Sequence, residues 1–304
     1  MPDSPAVRVV TDSTACLPAA DDATYPALWE GPGHGPLVVP LHVVTDGGSL
    51  REGVDVSPED VAARIGAGEG LTTSQPSITE LADAYRQLVT DGARSVVSVH
   101  LSADLSGTFA AAQRAGQRSM VPVRAVDSRT AAMALGFAAV EAARCAAAGC
   151  DTEHVARRAA DVAASAEAVF LVDSLEHLRR GGRLTAPAAA LGAALGVRPI
   201  LGLRDGRVEL VQRVRTRSAA TARLVEIAVT RARAATRPAV AVHHLGAPER
   251  AAEVAAVLAE RLGVLPVVTP VSAVLGAHVG PGALAAMVVD RGGHVHDLEP
   301  GGPW

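Results

Sequence analysis

Short β-branched runs alternate with longer amphipathic or alanine-rich runs along this chain, and that alternation is its main structural signal. Ala6–Thr11 and Leu37–Val44 read as strands, and Asp46-Gly47-Gly48 turns the second into a hairpin with Leu50–Asp55. Ser57 and Pro58 mark the start of a helix to about Ile65, and a further helix is expected over Ile78–Thr90. Val96–Val99 is a buried strand, Phe109–Ala115 a helix, and Val121–Val126 a strand. Helices over Ala131–Ala148 and Thr152–Ala166 then lead to a strand at Ala168–Asp173. Strand and helix in alternation predict an α/β fold with a parallel sheet covered on both faces.

The pattern changes after that strand. Leu175–Leu184 is a short basic helix broken by Gly181-Gly182. Val197–Leu203 and Val208–Val214 form a hairpin about Asp205-Gly206. Helices at Ser218–Ala235 and Glu249–Leu262 mix with strands at Ala239–His244, Val264–Thr269 and Leu284–Asp290. Val271–Leu275 is expected to be a connection and Gly276–Gly282 a tight polar loop. Hairpins mixed with helices predict an α+β second half with a mainly antiparallel sheet.

Composition narrows the function classes. Hydrophobic residues make up 49% of the 304, aromatic residues only 2%, and the net charge is −4. A mildly acidic, aromatic-poor chain lacks both the basic surface and the stacking platforms that nucleic acid requires. Its three cysteines (Cys16, Cys145, Cys150) are too few for a disulfide framework and are expected as buried thiols. The first residues lack the basic and apolar regions of a secretory signal, so the chain reads as cytoplasmic. The long apolar run Thr185–Leu203 is interrupted by Pro187, Arg198 and Pro199 and reads as packed helix and loop, not as a membrane span.

The candidate chemistry is a set of polar turns. Ser102, Ser106 and Thr108 follow the strand at Val96–Val99 and precede a helix; there, hydroxyl donors and free backbone N–H groups together suit an anion. The same residues serve as a helix cap. Thr72-Thr73-Ser74-Gln75-Pro76-Ser77 is a second hydroxyl cluster, and Asp12-Ser13-Thr14 a third. Arg183 follows a glycine pair, where a fixed guanidinium fork matches two carboxylate oxygens. His278 is flanked by Gly276, Gly280 and Gly282 and can donate to an anion.

Other chemistries fit less well. A serine hydrolase would use Ser106, with Asp127 and His278 in reach of imagination, but the first glycine of a G-x-S-x-G elbow is missing. Gly280-Pro281-Gly282-Ala283-Leu284-Ala285 lacks the context of a dinucleotide site, so no cofactor is expected. His243-His244, His294 and His296 have no ligand spacing for a metal. Arg213, Arg215 and Arg217 recur at every second position, which in a strand puts them on one face. A binding module precedes an enzyme on this inventory.

Taken in order, TDSTACLP (11–18), DGG with REGVDVSPED (46–60), TSQPS (73–77), SADLSGTF (102–109), VDS (126–128), DSLEHLRRGGRL (173–184), RPIL (198–201) and GAHVGPGAL (276–284) resemble the DegV family of bacterial fatty-acid-binding proteins, the FakB type. The resemblance covers nearly the whole chain. It implies an α/β/α domain over 1–172 and an α+β domain over 173–304, with one long-chain fatty acid in a tunnel between them. It implies that Thr73, Ser106, Arg183 and His278 hold the carboxylate, with Ser102 and Ser13 as further candidates. It also implies a partner: a separate, dihydroxyacetone-kinase-like subunit that phosphorylates the bound acid with ATP for phospholipid synthesis, docking near Arg213, Arg215 and Arg217. The chain itself has no ATP-binding loop and is expected to be a carrier and not an enzyme. A serine hydrolase using Ser106, or a lipid-binding regulator without a kinase partner, is the alternative. Gly31–Gly35 reads as an insertion and the Gly/His-rich tail as loose.

Overall fold

The computed structural model describes residues 6–19, 22–25, 35–184 and 197–292. The Gly31–Gly35 insertion, the first half of the apolar run Thr185–Leu203 and the tail thus lie largely outside the described residues. In chain order the elements begin with β1 (Val7–Asp12), β2 (Leu37–Val39), β3 (His42–Thr45), β4 (Gly48–Arg51), α1 (Pro58–Gly66), β5 (Thr72–Ser74), α2 (Ile78–Thr90) and β6 (Ser95–His100). There follow α3 (Thr108–Gly116), β7 (Val123–Asp127), α4 (Ala132–Ala147), α5 (Thr152–Ala164), β8 (Glu167–Leu171) and α6 (Glu176–Arg180). The last part holds β9 (Arg198–Arg204), β10 (Arg207–Val214), α7 (Arg217–Ala234), β11 (Pro238–His244), α8 (Pro248–Leu262), β12 (Val267–Pro270), α9 (Ala273–Val279) and β13 (Leu284–Asp290).

A parallel sheet of order β2-β1-β6-β7 forms the first half, with Val9 opposite Val97 and Val99 opposite Val126. The second sheet, β10-β9-β8-β13-β11-β12, is antiparallel except between β11 and β12. Period-two side chains divide each sheet between two cores. In the first, Val96 joins Leu81, Tyr85 and Leu88 of α2 on one face, while Val97 and Val99 join Leu135 and Ala142 of α4 on the other. In the second, Ala285, Met287 and Val289 meet Met133 and Phe137 of α4, whereas Leu284, Ala286 and Val288 meet Leu224 and Leu258 of α7 and α8. Helix α4 therefore lies between the two sheets. Its alanines allow this: thirteen of its residues are buried, and a helix apolar all round belongs in an interior.

Four expectations need correction. Leu37–Val44 is two strands, because Pro40 has no N–H for the ladder; β2 joins the parallel sheet and β3 the small antiparallel sheet β4-β3-β5. The strand expected to end the first half, at Ala168–Asp173, forms as β8 but pairs antiparallel with β9 and β13, so it opens the second sheet. Gly276–Gly282 is not a loop throughout: Ser272 caps α9 by accepting the Leu275 N–H at 3.2 Å, and the helix carries Gly276 and His278 before it stops at Gly280.

The fourth concerns the cysteines. Cys145 and Cys150 are not free thiols but form a disulfide, their Cα atoms 5.4 Å apart. Helix α4 ends in a Schellman turn, with the Cys150 N–H donating to Cys145 O and the Gly149 N–H to Ala146 O, both at 3.0 Å. That turn brings the side chains of these two positions together, so cysteines placed there are already at bonding range. Cys16 remains a buried thiol. No helix among the described residues is long and apolar enough to cross a membrane.

Candidate functional site

Between α4, the turn after β6, the face of the second sheet and α9 lies a cavity of about 350 Å³. Its wall is mainly apolar, with Leu101, Leu105, Phe170, Leu203, Val274 and Met287 among the lining residues. Thr73, Ser106, Arg183 and His278 line the same cavity, although up to 205 positions separate them along the chain. Each is delivered by a different element.

Thr73 is the middle residue of β5, paired with Val43 of β3, and its hydroxyl lies 2.8 Å from Nε2 of His278. His278 sits in the last turn of α9. Burial, and then the Arg183 charge, push its imidazole down to about 4, so it is neutral at physiological pH. Gly181 makes room for that ring, since a Cβ there would overlap His278 Nδ1. Arg183 donates from Nε to Leu105 O at 3.0 Å and from Nη1 to Gly181 O at 2.5 Å. Those bonds tie the glycine turn to the β6–α3 turn and hold the guanidinium against the cavity wall. Ser106 Oγ lies 2.8 Å from Thr108 Oγ1 and accepts the Thr108 N–H at 3.3 Å, so it both steadies the start of α3 and lines the cavity.

Ser102 and Ser13 do not line it. The buried Ser102 hydroxyl donates to Gly206 O at 2.8 Å, joining the β6–α3 turn to the β9–β10 turn. Ser13 Oγ donates to Glu52 Oε2 at 2.5 Å and accepts the Leu41 N–H at 2.9 Å. Arg213, Arg215 and Arg217 are exposed, but they do not share one strand face. The strand ends at Val214 and Thr216 caps α7, so Arg217 is helical and pairs with Asp173 at 2.8 Å.

Several buried polar contacts are not visible along the sequence. Glu52 is buried, its carboxyl pushed up chiefly by burial, and it accepts the Val274 N–H at 3.0 Å at the start of α9. It therefore fixes the helix that carries His278. Asp12, His100, Ser98 and Tyr85 form a buried chain: Asp12 Oδ2 to His100 Nδ1 at 2.9 Å, His100 Nε2 to Ser98 Oγ at 2.7 Å, and Ser98 Oγ to the Tyr85 hydroxyl at 2.9 Å. Asp12 also accepts the Leu101 N–H at 3.0 Å, which anchors the strand leading to Ser106. These three elements of an Asp-His-Ser set are fully buried, out of reach of a substrate. Asp127 Oδ1 is engaged by the Ala103 and Arg129 N–H groups and His278 by Thr73, so the set Ser106, Asp127 and His278 is not assembled as a relay. His243 is not a surface ligand either: it is buried, pushed down to about 4 by burial, and its Nε2 accepts the Met133 N–H at 3.1 Å. Among the described residues no group of three or more His, Cys, Asp or Glu gathers as a metal site would require.

A mainly apolar cavity whose wall carries the neutral His278 imidazole, the Thr73 and Ser106 hydroxyls and the Arg183 guanidinium, with Ser74, Gln75, His243 and His244 as its other polar lining residues, can hold an amphipathic anion with its head at the patch around Arg183. Comparison with known proteins agrees in kind. A DegV domain-containing protein of Streptomyces coelicolor is 45% identical over 287 residues, 94% of this chain and 99% of the relative. One from Mycobacterium tuberculosis is 44% identical over 286 residues, 93% of this chain and 96% of the relative. A fatty-acid-binding DegV family protein from Thermus thermophilus superposes with a TM-score of 0.83 at 31% identity, covering 93% of this chain and 99% of its own. DegV of Bacillus subtilis, a fatty acid binding protein, gives 0.82 at 31% identity, covering 93% and 99%. The model of an uncharacterised protein family, DegV, matches residues 6–291, and the chain belongs to the DegV family.

Proposed function

We propose that this protein is a fatty-acid carrier of the FakB type. One long-chain fatty acid occupies the 350 Å³ cavity, its carboxylate held by Thr73, Ser106, Arg183 and His278. The observation that carries this reading is the convergence of those four side chains on one mainly apolar cavity, whose other polar lining residues are Ser74, Gln75, His243 and His244. Relatives that superpose closely along nearly their whole length are fatty-acid-binding proteins, which supports it.

The energetics suit the ligand. Each buried methylene contributes about 0.8 kcal/mol, so the acyl chain supplies most of the affinity. The polar residues orient the headgroup and keep a desolvated carboxylate paired. The neutral state of His278 matters here: with the proton on Nε2 it donates to the Thr73 hydroxyl, which leaves that hydroxyl's own hydrogen for the carboxylate, and it adds no second cation beside Arg183. The bound carboxylate is then presented to a separate ATP-dependent kinase subunit, which forms the acyl phosphate for phospholipid synthesis; the exposed Arg213, Arg215 and Arg217 are candidates for its docking face. Ser106 acts in this scheme as a hydrogen-bond donor and not as a nucleophile.

Organic-solvent extraction of the purified protein followed by mass spectrometry tests the reading. One fatty acid per chain, carried over from the host or taken up when offered, is the expected result. No stoichiometric fatty acid and no uptake would overturn it.

A further inference from the structure

A second cavity of about 420 Å³ shares three wall residues with the first: Thr73, Arg183 and His278. The proposed carboxylate site is thus a partition, with the apolar cavity on one side and this one on the other. The second cavity is lined in addition by Glu69, His177 and Arg180, from the α1–β5 connection and from α6.

Its charge favours an anion. Glu69 is paired with Arg64 at 3.0 Å, which offsets its carboxylate. Arg180 lies 3.3 Å from Glu176, but that carboxylate is already held by Arg179 at 2.8 Å, so two guanidiniums share one negative charge. Arg183 adds a further cation from the partition. His177 is half-buried and held below its usual range by burial and by Arg180, so it stands as a neutral donor or acceptor. Guanidinium groups with an imidazole beside them suit phosphate oxygens better than an uncharged ligand.

We propose that this second cavity receives the phosphoryl group of an acyl phosphate, with Arg180 and His177 as its contacts. The inference rests on the fatty-acid reading of the first cavity and adds to it the place of the product's headgroup. With the acyl chain filling the apolar side, the second cavity is a space bordered by the same Thr73, Arg183 and His278 into which a group added to the carboxylate can extend. In the transfer, a carboxylate oxygen attacks the terminal phosphorus of a nucleoside triphosphate held by the partner. A C(O)O–P bond forms, and the P–O bond to the bridging oxygen breaks, its electron pair leaving on the nucleoside diphosphate. The carboxylate enters ionised, so no proton has to be removed. The new dianionic group then meets Arg180.

Binding of palmitate and of a β-ketophosphonate analogue of palmitoyl phosphate, in which a methylene replaces the bridging oxygen, tests this on the full chain. Arg180 is 64% exposed, so Arg180→Gln leaves the fold in place, as circular dichroism would verify. The expected outcome is palmitate affinity within about twofold of the parent and phosphonate affinity lowered about tenfold or more, the scale of one lost charge-assisted contact. His177→Gln should act in the same direction, selectively on the phosphonate. Equal affinities of both variants and the parent for the phosphonate, or equal losses for both ligands, would overturn the assignment while leaving the fatty-acid reading intact. A parent protein that binds neither palmitate nor any other long-chain acid would overturn that reading, and this one with it.

Discussion

Replacing Arg183 with glutamine removes one charge and keeps a planar amide near the same place. In the parent, Nε and Nη1 are spent on Leu105 O and Gly181 O, so the charge faces the cavity from a fixed fork. A hydrogen bond to a charged group is worth about 1.5–3 kcal/mol, so fatty-acid affinity should fall by about 10- to 150-fold. A second readout does not depend on ligand. His278 is pushed down to about 4 by burial first and by Arg183 second. Without the arginine the second cause disappears, so the imidazole should titrate at a higher pH, while burial still holds it below about 6.5. Displacement of a fluorescent fatty acid measures the affinity, and the Cε1–H resonance of His278 followed by NMR across the acid range measures the titration. Affinity within twofold of the parent together with an unmoved His278 titration would refute the placement of Arg183 beside both groups.

Acid should weaken the fold well before the carboxylates titrate. His243 and His278 both sit at about 4 in the native state, against about 6.5 unfolded. Between these values the unfolded chain binds more protons, so stability drops as pH falls, by about 1.4 kcal/mol per unit for each histidine at most. Glu52, pushed up by burial, works in the opposite direction, but His177 and His244, also held below their usual range chiefly by burial, act with His243 and His278. The urea midpoint should therefore be lower at about pH 5 than at about pH 7, and an equal or higher midpoint at the lower pH would contradict the burial of both rings. The cysteines give a further check: thiol titration of the unfolded protein should find one thiol before reduction, Cys16, and three after it. Reduction should cost about 2 kcal/mol of stability, the value for so short a loop, and three thiols without reductant would mean that the bridge is absent.

Much of the fold was legible in sequence because its signals are local. Val96 to Val99 alternate between two cores, as β-branched runs in a covered sheet do. The capping boxes at Ser57–Asp60 and Ser77–Glu80 close the starts of α1 and α2. Pairing is not local, and there the expectations slipped. Nothing within Glu167–Leu171 says which sheet it enters; that is settled by β13, more than a hundred residues later, whose Ala285 lies opposite Phe170. Likewise Gly276 reads as a loop residue, yet a helix accommodates it because the missing side chain lets α9 approach Leu245.

The candidate site divides the same way. Each hydroxyl motif, the glycine pair before Arg183 and the glycines about His278 are visible along the chain, because close approach and tight turns demand those residue types locally. The buried groups that hold them could not be found there. Glu52 lies within Leu50–Asp55, expected only as one arm of a hairpin, and its burial against Ser13 and Val274 is what makes it the anchor of α9. His100 lies just past the strand expected at Val96–Val99, and only the folded register brings it to Asp12. The second cavity, with His177 and Arg180 in its wall, belongs wholly to tertiary structure. The sequence by itself determined the kinds of element, the order of the motifs and the family. Only the tertiary structure decided which strand joined which sheet, which polar groups were buried and where the cavities met. The physical reason is range: propensity, capping and turn chemistry act over a few residues, whereas burial and hydrogen bonding join residues 205 positions apart at Thr73 and His278 and 222 apart at Glu52 and Val274.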